Sequence, residues 1–130
     1  IIKALAAKGE QVADLGTNTP DSVDYPDYGF AVAENAVKNA AKGIVICKTG
    51  VGMSMCANKV KGARCALCTS VDMARLCREH NDANVLALGA SNTDIATALA
   101  MAEAFVSTEF AGGRHAGRVD KITRYEESHG

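Results

Sequence analysis

Cys47 stands where an apolar run, GIVIC, ends and a glycine-bearing segment, KTGVGMS, begins. A thiolate at such a junction is stabilised by backbone N–H groups, and by Lys48 where its ammonium reaches back, so it is suited to act as a base or a nucleophile. Thr49, Gly50, Gly52 and Ser54 follow it. Glycines between a strand and a helix start let N–H groups converge on an anion, and the helix N-terminus adds favourable potential. The spacing is neither GxxxxGK[ST] nor GxGxxG with its ribose-binding acid, so it is no nucleotide fingerprint. Two local readings stand side by side. The segment is an anion cradle or a tight ligand-free turn, and Cys47 is reactive or an inert buried thiol, the commoner fate of cysteine.

Three further groups carry chemistry. His80, Asn81 and Asp82 stand between an apolar-striped segment and the run NVLAL. His80 is either an acid–base group or a core histidine held by one hydrogen bond, and Asp82 is also a turn former. Arg114 and Arg118 are spaced i, i+4 near a helix start and so share a face. Two converging guanidinium groups make a phosphate clamp, or else a solvated face beside Asp120, Glu126 and Glu127. His115 adjoins the pair without sharing its face. Asp24, Tyr25 and Tyr28 lie in DYPDY, read as a loop that closes over a substrate or as a rigid aromatic turn.

The elements that position these residues alternate. Ile1 to Lys8 has helical apolar spacing and stops at Gly9. Val12 to Leu15 is a short strand candidate, and TNTPDSVDYPDY is a loop. Phe30 to Ala40 is a helix packing Ala33, Ala36, Val37 and Ala40. GIVIC is a buried parallel strand, and Ser54 to Asn58 is helical. Arg64 to Cys68 is a strand. Val71 to His80 is a helix with Met73, Leu76, Cys77 and His80 on one side, and Asn84 to Leu88 is another strand. A long helix marked by Ile95, Leu99, Ala102 and Val106 follows the SNTD cap signal. Gly112 and Gly113 break the chain before a last helix, Arg114 to Glu127, with Val119 and Ile122 on its apolar side. Alternating strands and helices predict one three-layer α/β/α domain over residues 1–130, a Rossmann-like doubly wound parallel sheet. The chain opens inside a helix with no strand before it, so the first strand of such a sheet is expected to precede Ile1.

Composition narrows the class. The 130 residues suffice for one core, 48% are apolar, 22% are charged, and the net charge is -1. That balance speaks against a nucleic-acid or membrane-surface binder, and no run reaches membrane length. Five irregularly spaced cysteines argue against a disulfide framework and fit a reduced, cytoplasmic setting. Cys65 and Cys68 form a CxxC, but on a strand they point to opposite faces, and the histidines give no zinc pattern, so no metal site is expected.

Together the stretches DLGT (Asp14 to Thr17), SVDYPDY (Ser22 to Tyr28), CKTGVGMSMCANK (Cys47 to Lys59), REHNDANVLALGA (Arg78 to Ala90) and STEFAGGRHAGRV (Ser107 to Val119) resemble the ribose-5-phosphate isomerase B family, close to the galactose-6-phosphate isomerase subunits. The resemblance implies an aldose–ketose isomerase that interconverts ribose 5-phosphate and ribulose 5-phosphate through a cis-enediolate, with no cofactor or metal. A galactose-6-phosphate or allose-6-phosphate isomerase, or a non-catalytic sugar-phosphate-binding homologue, is the alternative. It implies a homodimer or homotetramer whose sites combine two subunits. Cys47 would be the proton-transfer base, Thr49 would support it, and N–H groups from Gly50 through Gly52 to Ser54 would hold the enediolate. His80 would assist ring opening and Asn81 would hold a sugar oxygen. Arg114 and Arg118 would grip the phosphate, Tyr25 would line the sugar, and Asp24 would shape the loop. Two departures stand out. Lys48 occupies the glycine of the family's CGTG, where a side chain threatens to crowd the loop or to sit at a glycine-only φ. The family's opening SDHAG-like strand has no match, which leads to the expectation of about 15–20 further residues before Ile1.

Overall fold

The computed structural model describes residues 1–7, 9, 11–15 and 24–129. The helices are α1 (Ile2–Ala7), α2 (Tyr25–Lys38), α3 (Val51–Asn58), α4 (Val71–Asn81), α5 (Ile95–Ser107) and α6 (Arg114–His129), and the strands are β1 (Gly43–Cys47), β2 (Cys65–Leu67) and β3 (Val85–Gly89). Among the described residues the sheet has three parallel strands in the order β1-β3-β2. Gly43 pairs with Val85 and Cys47 with Gly89 on one side, and Cys65 pairs with Val85 on the other.

That order dictates the layers. The chain steps from β1 past the place of β3 to β2, then back. Parallel crossovers are right-handed, so opposite steps put their helices on opposite faces. One core packs Ala33 and Ala36 of α2 and Met53 and Ala57 of α3 against Val45, Val85 and Ala87. The other packs Ala74 and Cys77 of α4 and Met101 and Phe105 of α5 against Leu86 and Leu88. Every residue of β3 is buried, as a central parallel strand requires. This is the α/β/α, Rossmann-like arrangement expected from the alternation.

Several boundaries differ from the sequence reading, each for a physical reason. Val12 to Leu15 is not a strand. A strand needs a neighbour at ladder distance, and a cleft of about 950 Å³, lined by residues 11–15 and by Gly43 to Ile46, lies between that segment and β1. DYPDY is not a loop to its end. Proline suits the first helical turn and an acid there complements the dipole, so α2 begins at Tyr25 with Pro26 and Asp27 in that turn. Ala40 lies past the helix at φ 49° and is exposed. In α4 the buried positions are Ala74, Cys77 and Arg78, and Met73 is exposed. Ile95 and Ile122 are also exposed, while Met101, Ala102 and Phe105 carry the buried face of α5. The cap signal does operate there, since Asp94 accepts a hydrogen bond from the Thr97 N–H at 2.8 Å. The loop positions from Thr17 to Val23, and the glycine that ends the Val12 stretch, lie outside the described residues.

Candidate active site

The carboxyl edge of the sheet carries the thiol. Val45 and Cys47 point to the same face, because side chains alternate along a strand, and both pack into the α2/α3 core. The loop after β3 fixes the loop after β1. The Ala90 N–H donates to the Cys47 carbonyl at 2.8 Å, and the Ser91 N–H and Oγ donate to the Lys48 carbonyl at 2.9 and 2.6 Å. Lys48 sits in this clamp without a left-handed φ, so the side chain in place of glycine strains nothing. Nothing in the sequence singled out Ser91, because a serine after a strand has no signature of its own.

Gly50 makes the turn. It caps α3 at φ +82°, and a Cβ there would lie 2.5 Å from Leu67 Cδ1. The Val51 N–H donates to Thr49 Oγ1 at 3.3 Å and the Ser54 N–H to the Gly50 carbonyl at 3.0 Å. Among the described residues no acceptor reaches the N–H groups of Gly52 and Met53, which point out of the helix start. Within the Gly50-to-Ser54 span the N–H groups of Val51 and Ser54 are thus engaged, and that of Gly50 has no acceptor among the described residues either. The Ser54 hydroxyl donates to the Val51 carbonyl at 2.8 Å. Thr49, with its oxygen accepting from Val51, keeps its own O–H to donate. Tyr25 lies across this cradle, since a Cβ on Gly52 would come within 2.6 Å of Tyr25 Cζ. Asp24 precedes α2 as its N-cap without making a side-chain capping bond.

The amino edge carries the imidazole and the guanidinium groups. Ser70 caps α4 by accepting from the Met73 N–H at 3.2 Å, and Asp82 closes it in the left-handed region at φ 48°. Asp82 is a turn former, as one of its readings held, and also an ion-pair anchor, 3.3 Å from Arg64 and 2.8 Å from Arg78. Arg78 is 7% exposed. It donates to the Thr108 carbonyl at 3.0 Å and the Ala83 carbonyl at 2.7 Å, and lies 6.0 Å from the centroid of Phe105. The Ala111 N–H donates to the Glu79 carbonyl at 3.1 Å. Gly112 and Gly113, both at positive φ, then turn the chain into α6. His80 and His115 end up stacked. Arg114 and Arg118 are exposed and, among the described residues, have no carboxylate partner, because Asp120 pairs with Arg124 at 2.7 Å and Glu126 accepts from the Gly62 N–H at 2.7 Å. Nothing in the sequence marks Arg78, because an arginine on an amphipathic helix reads as a solvated side chain and its acceptors Thr108 and Ala83 come from other elements.

These two groups of residues do not meet within one chain. Asp82 to Asn84 adjoin the start of β1, where the Gly43 N–H donates to the Asn84 carbonyl at 2.8 Å, and Cys47 is at the other end of that strand. Five residues of strand span about 13 Å. Cys47, Thr49, Gly50, Gly52, Ser54 and Tyr25 share one edge, and His80, Asn81, Arg114 and Arg118 share the other.

The remaining cysteines pack. Cys65 faces the α2/α3 core and Cys68 the α4/α5 core, on opposite sides of the sheet. Burial, with a smaller contribution from Cys77, pushes the Cys65 thiol up to about 12. A hydrogen bond with Cys77 and burial raise Cys68, while the same bond lowers Cys77. Among the described residues no three His, Cys, Asp or Glu side chains are placed to hold a metal ion, and no helix is long and apolar enough to cross a membrane.

A thiol and a glycine cradle at the carboxyl ends of parallel strands, beside a clamped loop, are the equipment of an α/β enzyme that works by a base or a nucleophile. The chain belongs to the Ribose/Galactose Isomerase family, whose model matches residues 1–122. It is similar to the Clostridium thermocellum ribose-5-phosphate isomerase B structure, with 48% identity and a TM-score of 0.94 over 99% of this chain and 88% of that one. The Mycoplasma genitalium ribose-5-phosphate isomerase B structure with bound ribulose-5-phosphate is 44% identical, with a TM-score of 0.92 over 96% of this chain and 84% of that one. Ribose-5-phosphate isomerase B of Escherichia coli K12 is 39% identical over 128 residues, 98% of this chain and 86% of that protein.

Proposed function

We propose that the chain interconverts ribose 5-phosphate and ribulose 5-phosphate through a cis-enediolate, at sites built between two copies of itself. The observation that carries the reading is the division of chemistry between the sheet's edges. One edge holds a thiol and open N–H groups, the other an imidazole and two guanidinium groups without carboxylate partners. Neither half suffices, and a two-fold dimer that faces the carboxyl edge of one copy with the amino edge of its partner forms two complete sites.

In such a site Arg114 and Arg118 hold the phosphate by charge-assisted hydrogen bonds. His80 shuttles the proton that opens the furanose ring, and Asn81 holds a sugar oxygen. The Cys47 thiolate takes the proton from C2 of the open aldose and returns it to C1, while the hydroxyl proton passes from O2 to O1 by way of the Thr49 hydroxyl, which moves the carbonyl from C1 to C2. The N–H groups of Gly52 and Met53 meet the negative charge that develops on the enediolate oxygens. The Thr49 hydroxyl donates to the same oxygens, and Tyr25 closes the sugar's side. The binding groups and proton carriers in this scheme are all side chains or amides of the chain itself.

The test is turnover on ribose 5-phosphate, allose 6-phosphate and galactose 6-phosphate, with wild type and Cys47→Ala. Ribulose 5-phosphate formation by the wild type, its loss in Cys47→Ala, and retained phosphate-sugar binding are expected. Preference for a hexose phosphate would reassign the substrate. Binding without turnover of any of the three would make the chain a sugar-phosphate-binding homologue.

A further inference from the structure

We infer that His115 is a positioning residue for His80: its imidazole, stacked on the His80 ring, holds the plane of that ring and fixes the edge it offers to the sugar. The inference rests on the proton-shuttle role proposed for His80. The two ring centroids are 4.2 Å apart and the planes differ by 17°. The rings come from different elements, His80 from the last turn of α4 and His115 from the first turn of α6. Their meeting is built in. The Ala111 N–H bond to the carbonyl of Glu79 sets the incoming chain one residue from His80, and the His115 N–H donates to the Gly112 carbonyl at 3.0 Å. A histidine at a helix end otherwise rotates about two side-chain torsions. A parallel partner covers one face and leaves the ring nitrogens directed outward, in the plane where proton transfer occurs.

The charges agree with this division of labour. Partial burial and the positive charges of His80, Arg114 and Arg118 push His115 below the ordinary imidazole value of 6.5, against a smaller opposing pull from Glu79. Those are the titratable and charged groups facing it from α4 and from its own helix, and Glu79 is itself engaged by Arg75. His115 is therefore neutral near pH 7. As pH falls through its depressed value His115 charges beside Arg114 and Arg118, and the neutral platform under His80 is lost.

The test compares wild type, His115→Ala and His115→Phe by isomerase kinetics from about pH 5 to about pH 8, and by imidazole proton NMR without sugar. His115→Ala is expected to lower kcat about tenfold with KM within about twofold. His115→Phe, which restores a flat partner that cannot charge, is expected to recover most of that loss and to move the acid limb to lower pH. In the NMR spectra the His80 ring protons of the wild type show an upfield ring-current shift that His115→Ala abolishes. Unchanged kcat in His115→Ala, or a Phe variant as impaired as Ala with an unshifted limb, would overturn the inference. Absence of the ring-current difference would overturn it even in a fully active enzyme. A wild type inactive on all three sugars, with the shift present, would instead strike the function proposed for the site.

Discussion

Cys47 and His80 at opposite edges of one sheet make a specific demand on mixtures of damaged chains. Cys47→Ala and His80→Ala should each lower turnover by roughly 10²–10⁴-fold, the scale of a lost proton-transfer group. Neither substitution touches the other's edge, since β1 alone separates them by about 13 Å. When the two variants are mixed equally and their subunits exchanged through mild denaturant, half of the dimers are mixed. Each mixed dimer takes intact Cys47 and intact His80 at one of its two sites and neither at the other. The mixture should therefore recover about one quarter of wild-type activity, far above either variant alone. A continuous assay of ribulose 5-phosphate formation reads the recovery, and native mass spectrometry counts the mixed dimers. Mixed dimers present at half abundance with no gain in activity would refute the shared site. A quarter of the wild-type rate from either variant without mixing would refute the roles of the two residues.

Other outcomes follow from the same geometry. Gly52→Ala would place a methyl group against the Tyr25 ring; activity is expected to fall at least about tenfold with the thermal midpoint changed by only a few degrees, and Gly52→Ala combined with Tyr25→Ala should recover part of it, as a double-mutant cycle would show. Arg114→Ala and Arg118→Ala should each weaken phosphate-sugar binding by about 1.5–3 kcal/mol, the range for charged hydrogen bonds, and calorimetric titration with a non-isomerisable phosphate sugar checks it. With its thiol pushed up to about 12, Cys65 carries a thiolate fraction of only about 10⁻⁴ at pH 8 in the folded protein. Peptide mapping after brief iodoacetamide treatment at that pH should find Cys65 unmodified in the native state and modified in urea.

The sequence makes legible what periodicity and punctuation control. GIVIC and NVLAL are strands because continuous apolar runs suit strands buried on both faces, and the Gly pair before Arg114 does turn the chain. The thiol, the cradle residues and the arginine pair stand out as candidates because their chemistry lies in residue type and short spacing. What was not legible depends on distance in space. Val12 to Leu15 has strand composition, yet pairing depends on where β1 lies. Arg78 looks like one more side chain on an amphipathic helix until Thr108 and Ala83 arrive to accept from it. The stack of His80 on His115 joins residues from two helices whose approach no local pattern encodes. Tyr25 reads as loop in the sequence because Pro and Asp mark turns and helix starts alike.

Arg78 has a consequence for how the protein comes apart. Its guanidinium reaches the carbonyl of Ala83 at the entry to β3, the carbonyl of Thr108 at the exit from α5, and the carboxylate of Asp82. A cation so deeply enclosed is tolerable only when all its acceptors are present. If α5 undocks alone, the guanidinium loses the Thr108 carbonyl and the Phe105 ring together, so partial opening costs a charge-assisted hydrogen bond as well as apolar contacts. The residues that carry His80 and the start of α6 are thereby joined to the cooperative core and do not fray as a separate surface unit. Slow amide exchange should extend past the end of α5 into the Ala111 connection, and the imidazole edge of the molecule should keep its shape until the whole domain melts.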